Sequence, residues 1–189
     1  MRLLLDVDGV CANFTAPLLK HITNLLDRHD NPCTDDEITE FDIAKAFGLP
    51  PELVYEPVGL AGYCRDLKPY DGAAEGIEIL RKRGIAVRAC TTPFDSDWWS
   101  REREKWLVEK LGFDRKHIIQ VHEKESCAGA ALVDDKTSTL VAWQAAHPND
   151  RAILFSRPWN LKDKWEGSRV ADWPSLVSTV LKMKRGKKS

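Results

Sequence analysis

The sequence predicts an α/β fold: a doubly wound, Rossmann-like parallel sheet with a small helical cap inserted after the first strand. Three observations predict it. From about residue 71 onward, short apolar runs alternate with amphipathic stretches, the pattern of strands and crossover helices in a sheet covered on both faces. The run Leu3-Leu4-Leu5 stands near the start of the chain and leads straight into two acidic residues. Between these regions, residues 29 to 68 break the alternation, with Pro32, Pro50, Pro51 and Pro57 interrupting short helical pieces.

Taken in order, Leu3 to Leu5 reads as a buried strand. A helix is expected over 17–28, because Leu18, Ile22, Leu25 and Leu26 fall on one face and Pro17 is tolerated in a first turn. One further helix is expected within the cap, over 35–47. A helix with Ala74, Ile77 and Leu80 inward should stop at Gly84. Then follow a strand over 85–90, a helix over 97–111 stopped by Gly112, and a strand over 117–121. A strand over 130–133 ends on Asp134-Asp135, followed by a helix over 137–146, a strand over 152–155 and a last helix over 176–183. This assigns residues 1–14 and 69–189 to a core and 15–68 to a helical cap. Residues 182–189, five of them basic, are expected to be a disordered tail.

Composition narrows the class. With 189 residues, 43% of them hydrophobic, the chain suits one domain with a sizeable core. Its 28 basic and 29 acidic residues nearly cancel, so no global charge favours nucleic acid or a membrane surface. No apolar run is long enough for a membrane span or a signal peptide. The five cysteines (Cys11, Cys33, Cys64, Cys90, Cys127) are scattered and odd in number, as in a reduced, cytoplasmic protein. The five histidines show no zinc-ligand spacing. Whether the chain works alone or as a homodimer stays open.

Three of the expected strands end in polar residues: Asp6-Val7-Asp8, Thr91-Thr92-Pro93 and Asp134-Asp135, with Lys124 ten residues before Asp134. Ligands of open parallel sheets bind beyond the carboxyl ends of the strands, so these residues are expected to converge. The set suits phosphoryl transfer. Asp6 can attack phosphorus, and Asp8 can protonate the leaving oxygen and then activate water. Mg²⁺, a hard cation suited to carboxylates and phosphate, would be held by Asp6, Asp8 and Asp135, with Asp134 a ligand or an orienting neighbour. Lys124 supplies fixed positive charge, Thr91 and Thr92 hold phosphate oxygens, and Gly9 allows the tight turn.

In these residues the chain resembles the haloacid dehalogenase superfamily and, more closely, its 5'(3')-deoxyribonucleotidases. The shared features are Asp6-Val7-Asp8-Gly9-Val10 through Phe14, Thr91-Thr92-Pro93, the Lys124-to-Asp134 spacing, Pro158-Trp159-Asn160, and Arg169-Val170 before Trp173. The resemblance implies a Mg²⁺-dependent phosphatase acting through an aspartyl phosphate on nucleoside 5'-monophosphates, deoxyribonucleotides in particular. It implies a base pocket formed by Phe14 and the stretch Phe41-Asp42-Ile43, where Asp42 departs from the family by replacing an aromatic residue. Glu123 and Glu125 around Lys124 are a second departure. Arg103 is a candidate for reaching the substrate phosphate. Rival readings are a phosphatase for sugar phosphates, a nucleotide-binding regulatory protein, and a phosphatase of nucleic-acid ends using the basic tail.

Overall fold

The computed structural model describes residues 1–186. In chain order the strands are β1 (Arg2–Leu5), β2 (Ala12–Asn13), β3 (Lys68–Pro69), β4 (Ala86–Thr91), β5 (Ile118–Gln120), β6 (Ala131–Asp134), β7 (Arg151–Phe155) and β8 (Ser168–Val170). The helices are α1 (Thr15–Leu25), α2 (Ile43–Phe47), α3 (Pro51–Val54), α4 (Tyr63–Asp66), α5 (Ala73–Lys82), α6 (Trp99–Leu111), α7 (Thr137–Ala146) and α8 (Trp173–Gly186). Six strands form one sheet in the order β5-β4-β1-β6-β7-β8, every pair parallel. The fold is therefore the doubly wound α/β sheet that the alternation predicts.

The apolar run explains why β1 is central. Leu3, Leu4 and Leu5 are fully buried. Leu3 and Leu5 join the core that α5, α6 and α8 cover, whereas Leu4 faces the core beneath α7. Only a strand with a helical layer on each face buries consecutive residues in this way. From β1 the sheet grows first through β4 to β5, and then returns to the other side through β6. That reversal opens a crevice at the carboxyl end of β1, the usual ligand position in such sheets.

The cap leaves and rejoins the core through a two-stranded ribbon, β2 pairing antiparallel with β3. Its interior gathers Leu18, Ile22, Ile38, Ile43 and Val54, and the core residues Trp99 and Trp159 close it from below. At the base of the cap, the indole N–H of Trp106 donates to the carbonyl of Leu67 at 2.7 Å.

Several expectations need correction. The first helix starts at Thr15, and Leu25 is exposed, because the buried stripe runs through Thr15, Leu18, Leu19 and Ile22. The expected helix over 35–47 is broken. Thr34 and Glu37 close a single 3-10 turn on each other, and a separate α2 begins where the Asp42 side chain accepts from the Lys45 backbone N–H. In α5 Ile77 and Leu80 point inward as expected, but they are joined by Ala73 and Gly76 rather than Ala74, since Trp173 packs directly over Gly76. The strand β8 was not expected, being only three residues long. Residues 182–186 continue α8 instead of forming a tail, carried by the apolar face that includes Leu176 and Val180; 187–189 lie outside the described residues. Among the described residues no helix is long and apolar enough to cross a membrane.

Candidate active site

Beyond the carboxyl end of β1 the chain turns sharply, and backbone hydrogen bonds from Val10, Cys11 and Ala12 to the Val7 carbonyl close the turn. This loop carries Asp6 and Asp8. It is held from outside by the Trp173 indole N–H donating to the Val10 carbonyl at 3.1 Å, and by the Arg157 guanidinium donating to the Gly9 carbonyl. The Asp6 backbone N–H donates to Val133 of β6 at 2.9 Å, which sets Asp6 beside the acidic end of that strand.

One buried cation ties the cluster together. Lys124 is 4% exposed, and its ammonium lies 2.6 Å from Asp6 Oδ1 and 2.8 Å from Asp134 Oδ2. Its flanking residues Glu123 and Glu125 are exposed. Burial alone would lower the Lys124 ammonium, but the Asp134 and Asp6 carboxylates outweigh it and hold the group above its ordinary range. Asp134 also accepts from the Lys136 backbone N–H at 2.8 Å. With Lys124 on one oxygen and this N–H on the other, Asp134 has the bonding of an orienting group. Burial pushes its carboxyl up to about 6 despite Lys124.

Asp135 differs. Its Oδ2 accepts the Trp159 indole N–H at 2.9 Å, and Asn160 donates to its backbone carbonyl at 2.7 Å. Burial, then the Asp6 and Asp134 charges, push its carboxyl well above the usual range. Carboxylate oxygens of Asp6, Asp134 and Asp135 all lie within 4.8 Å of one another. Three buried carboxylates therefore face one ammonium, an excess of negative charge built from hard oxygen donors. The donor set and that excess fit a hard divalent cation.

The Gly9 turn is matched to this cluster. Gly9 has φ +76°, and a Cβ there would sit 2.1 Å from Asp135 Oδ2. Gly9→Ala is expected to displace the Asp135 carboxylate and add left-handed backbone strain, destabilising the protein by about 1–3 kcal/mol. If the cluster is the phosphatase site expected from the sequence, phosphate release should fall about tenfold or more, as read beside thermal melts on one preparation. A fully active variant of unchanged melting temperature would refute the close approach.

These groups open onto a cavity of about 410 Å³. Asp6, Asp8, Thr91, Thr92, Lys124, Asp134 and Asp135 line its floor, and Phe14, Phe41, Ile43, Tyr55, Phe94, Trp99 and Trp159 wall it with apolar surface. Thr91 is buried at the end of β4. Phe41 is half exposed, with the Lys136 ammonium 4.4 Å from its ring centre, so the cap and the loop after β6 meet across the cavity mouth. The floor and the aromatic wall thus bring together most of the residues expected from the sequence.

Two candidates do not line the cavity. Asp42 caps α2 instead. Arg103 is fully buried behind Asp8 and donates to both its carboxylate oxygens. Other residues escaped notice. Trp159 and Asn160 stood out only as part of Pro158-Trp159-Asn160, with no contact assigned: Trp159 donates to the Asp135 carboxylate, Asn160 to the carbonyls of Asp135 and Phe155, and Arg157, which no motif marked, to the Gly9 carbonyl. Tyr55, Trp99, His122 and Thr139 line the cavity from outside the motifs, and Phe94 and Lys136 directly follow Thr91-Thr92-Pro93 and Asp134-Asp135.

Comparison with known proteins gives the family and the fold. The family "5' nucleotidase, deoxy (Pyrimidine), cytosolic type C protein" matches residues 1–185. A candidate 5'(3')-deoxyribonucleotidase of Bordetella pertussis is 31% identical over 182 residues, covering 92% of this chain and 91% of that protein. The human cytosolic-type 5'(3')-deoxyribonucleotidase is 27% identical, covering 98% of this chain and 96% of that one. Among solved structures, a haloacid dehalogenase family hydrolase from Deinococcus radiodurans R1, with bound phosphate and sodium, superposes with a TM-score of 0.61. It is 15% identical and covers 96% of this chain and 95% of that one, a likeness of fold.

Proposed function

Because the chain belongs to the family of 5' nucleotidase, deoxy (pyrimidine), cytosolic type C proteins, within the haloacid dehalogenase fold, we propose that it hydrolyses nucleoside 5'-monophosphates, with deoxyribonucleotides as the preferred substrates. The observation that carries this reading is the meeting of Asp6, Asp8, Thr91, Lys124 and Asp135 on the floor of one aromatic-walled cavity. The cavity volume of about 410 Å³ falls in the roughly 300–1,000 Å³ range of small-ligand pockets. The floor suits a phosphate, and the wall suits a planar base.

The residues divide the chemistry. Asp6 attacks phosphorus and becomes an aspartyl phosphate, while the bond to the ester oxygen breaks and that oxygen takes a proton from Asp8. Water then attacks the same phosphorus and gives its proton to Asp8, the Asp6–phosphorus bond breaks, and inorganic phosphate leaves. Lys124 and Thr91 hold phosphate oxygens throughout. Mg²⁺, held by the Asp6 and Asp135 carboxylates and the Asp8 carbonyl, would supply charge that offsets both the phosphate and the clustered carboxylates. The cap excludes water during the first step.

The deciding experiment is a panel of nucleoside 5'-monophosphates, their 3' isomers and sugar phosphates, assayed for released phosphate with and without Mg²⁺. Deoxyribonucleoside 5'-monophosphates should be cleaved fastest, and sugar phosphates cleaved faster than every nucleotide would overturn the substrate assignment. Binding of the cation has a separate readout. Mg²⁺ should raise the melting temperature, because it binds only the folded cluster, and Asp135→Asn should remove most of that shift. An equal shift in the variant would remove Asp135 from the ligand set.

A further inference from the structure

Arg103 is an ion pair's worth of charge at a position where the fold asks for an apolar side chain. The inward stripe of α6 runs through Trp99, Arg103, Trp106, Leu107 and Leu111, the i, i+4, i+7, i+8 spacing of a core-facing helix. Arg103 has no exposed surface. Its Nη2 donates to Asp8 Oδ1 at 2.6 Å and Oδ2 at 2.8 Å. Its Nε and Nη1 are buried and find no hydrogen-bond partner among the described residues. Unpaired buried N–H groups are costly, and an apolar residue would complete the stripe without that cost. Core packing therefore does not account for the arginine, whereas its contact with Asp8 does.

The surroundings fix the guanidinium. It lies over the indole of Trp99 at 4.9 Å and against that of Trp106 at 5.4 Å. Trp106 is itself pinned by its hydrogen bond to Leu67, and Trp99 is a wall of the substrate cavity. Asp8 keeps 26% of its side chain exposed on the cavity side, while Arg103 holds it from behind. A free aspartate at a loop would sample several rotamers; this one is held in a single place on the cavity floor.

We propose that Arg103 is a positioning residue that fixes the Asp8 carboxyl where it can pass a proton to the leaving oxygen. The inference rests on the reading of Asp8 as the proton donor. Arg103 is remote from the substrate, so its effect should scale with how much the leaving group needs that proton.

The test compares two forms of one nucleotide: the natural 5' phosphate ester, whose leaving alkoxide needs protonation, and the analogue with sulfur in the bridging position, whose thiolate leaves without it. The measured quantity is kcat/KM, which covers steps up to the first irreversible one. Arg103→Met should lower kcat/KM about 100-fold for the oxygen ester but less than about fivefold for the sulfur analogue, the former being of the order of a general acid's contribution. Arg103→Lys, which keeps a charged N–H donor but not the planar guanidinium packed against Trp99 and Trp106, should recover part of the loss. It also carries the same comparison if the methionine variant does not fold. Equal losses on the two substrates would overturn the inference and leave Arg103 a structural residue. If the wild-type protein cleaves neither nucleotide form, the proposed function fails first, and this inference with it.

Discussion

Asp6→Asn is expected to abolish turnover, by about 10⁴-fold or more, while the protein stays folded and melts no lower than the wild type. The activity loss follows from the nucleophile's task proposed for Asp6. An amide oxygen neither attacks phosphorus effectively nor offers the charge that a cation needs, and a 10⁴-fold loss corresponds to about 5.5 kcal/mol of transition-state stabilisation. The stability follows from the cluster. Asp6 is one of three buried carboxylates, and its charge contributes to holding the Asp134 and Asp135 carboxyls above their ordinary values. Removing that charge relieves repulsion, and Lys124 keeps its contact with Asp134 at 2.8 Å. The metal-free variant should therefore match or exceed the wild type in melting temperature, an instance of function held at the expense of stability. Asp8→Asn should also lose turnover, yet it keeps the nucleophile. Radiolabelled phosphate trapped on Asp8→Asn but not on Asp6→Asn is the expected pattern. Covalent phosphate on a residue other than Asp6 would sink the mechanism.

The sheet was legible because its signals are local. Leu3 to Leu5 is too short for a helix and too apolar for an exposed strand, and Gly84 and Gly112 follow directly on amphipathic stretches. The floor of the site was legible for a related reason. Carboxylates, a lysine and threonines at strand ends must converge once the strands are parallel, so Asp6, Asp8, Thr91, Lys124 and Asp135 could be gathered without coordinates. What escaped were contacts set by packing across long sequence separations. Arg103 read as a substrate-facing residue because helix spacing alone cannot say that the opposite partner is Asp8, 95 residues away. Asp42 read as part of the base-contacting stretch, but its local option of capping α2 prevailed. The indole N–H groups of Trp106, Trp159 and Trp173 each hold one oxygen across the fold, and tryptophans in a sequence signal only burial.

Lys124→Met carries the second large effect, and its size should depend on pH. The ammonium is buried and is the cation in direct contact with Asp6 and Asp134. Deleting one partner of a buried ion pair leaves uncompensated charge, which costs about 3–5 kcal/mol, and here two carboxylates lose their partner at once. The pH dependence comes from the carboxyls. The Asp134 carboxyl already lies at about 6 in the folded protein, above its unfolded value, and Asp135 is raised as well. Groups raised in this way favour the folded state fully below their unfolded values, and that contribution is lost as pH rises through the folded ones. Without Lys124 both would rise further, since its charge opposes the effects of burial and of the neighbouring carboxylates. At pH 4 the raised Asp134 and Asp135 carboxyls take up protons, so the variant should melt closer to the wild type. At pH 7.5 it should melt far lower, and Mg²⁺ should restore part of the stability but little of the activity, because in the proposed mechanism Lys124 is the phosphate's fixed cation. Melting curves of both proteins from pH 4 to 8, with and without Mg²⁺, measure this directly. A constant difference across that range would mean that Lys124 contributes through packing alone, and that the carboxylate cluster tolerates its own charge.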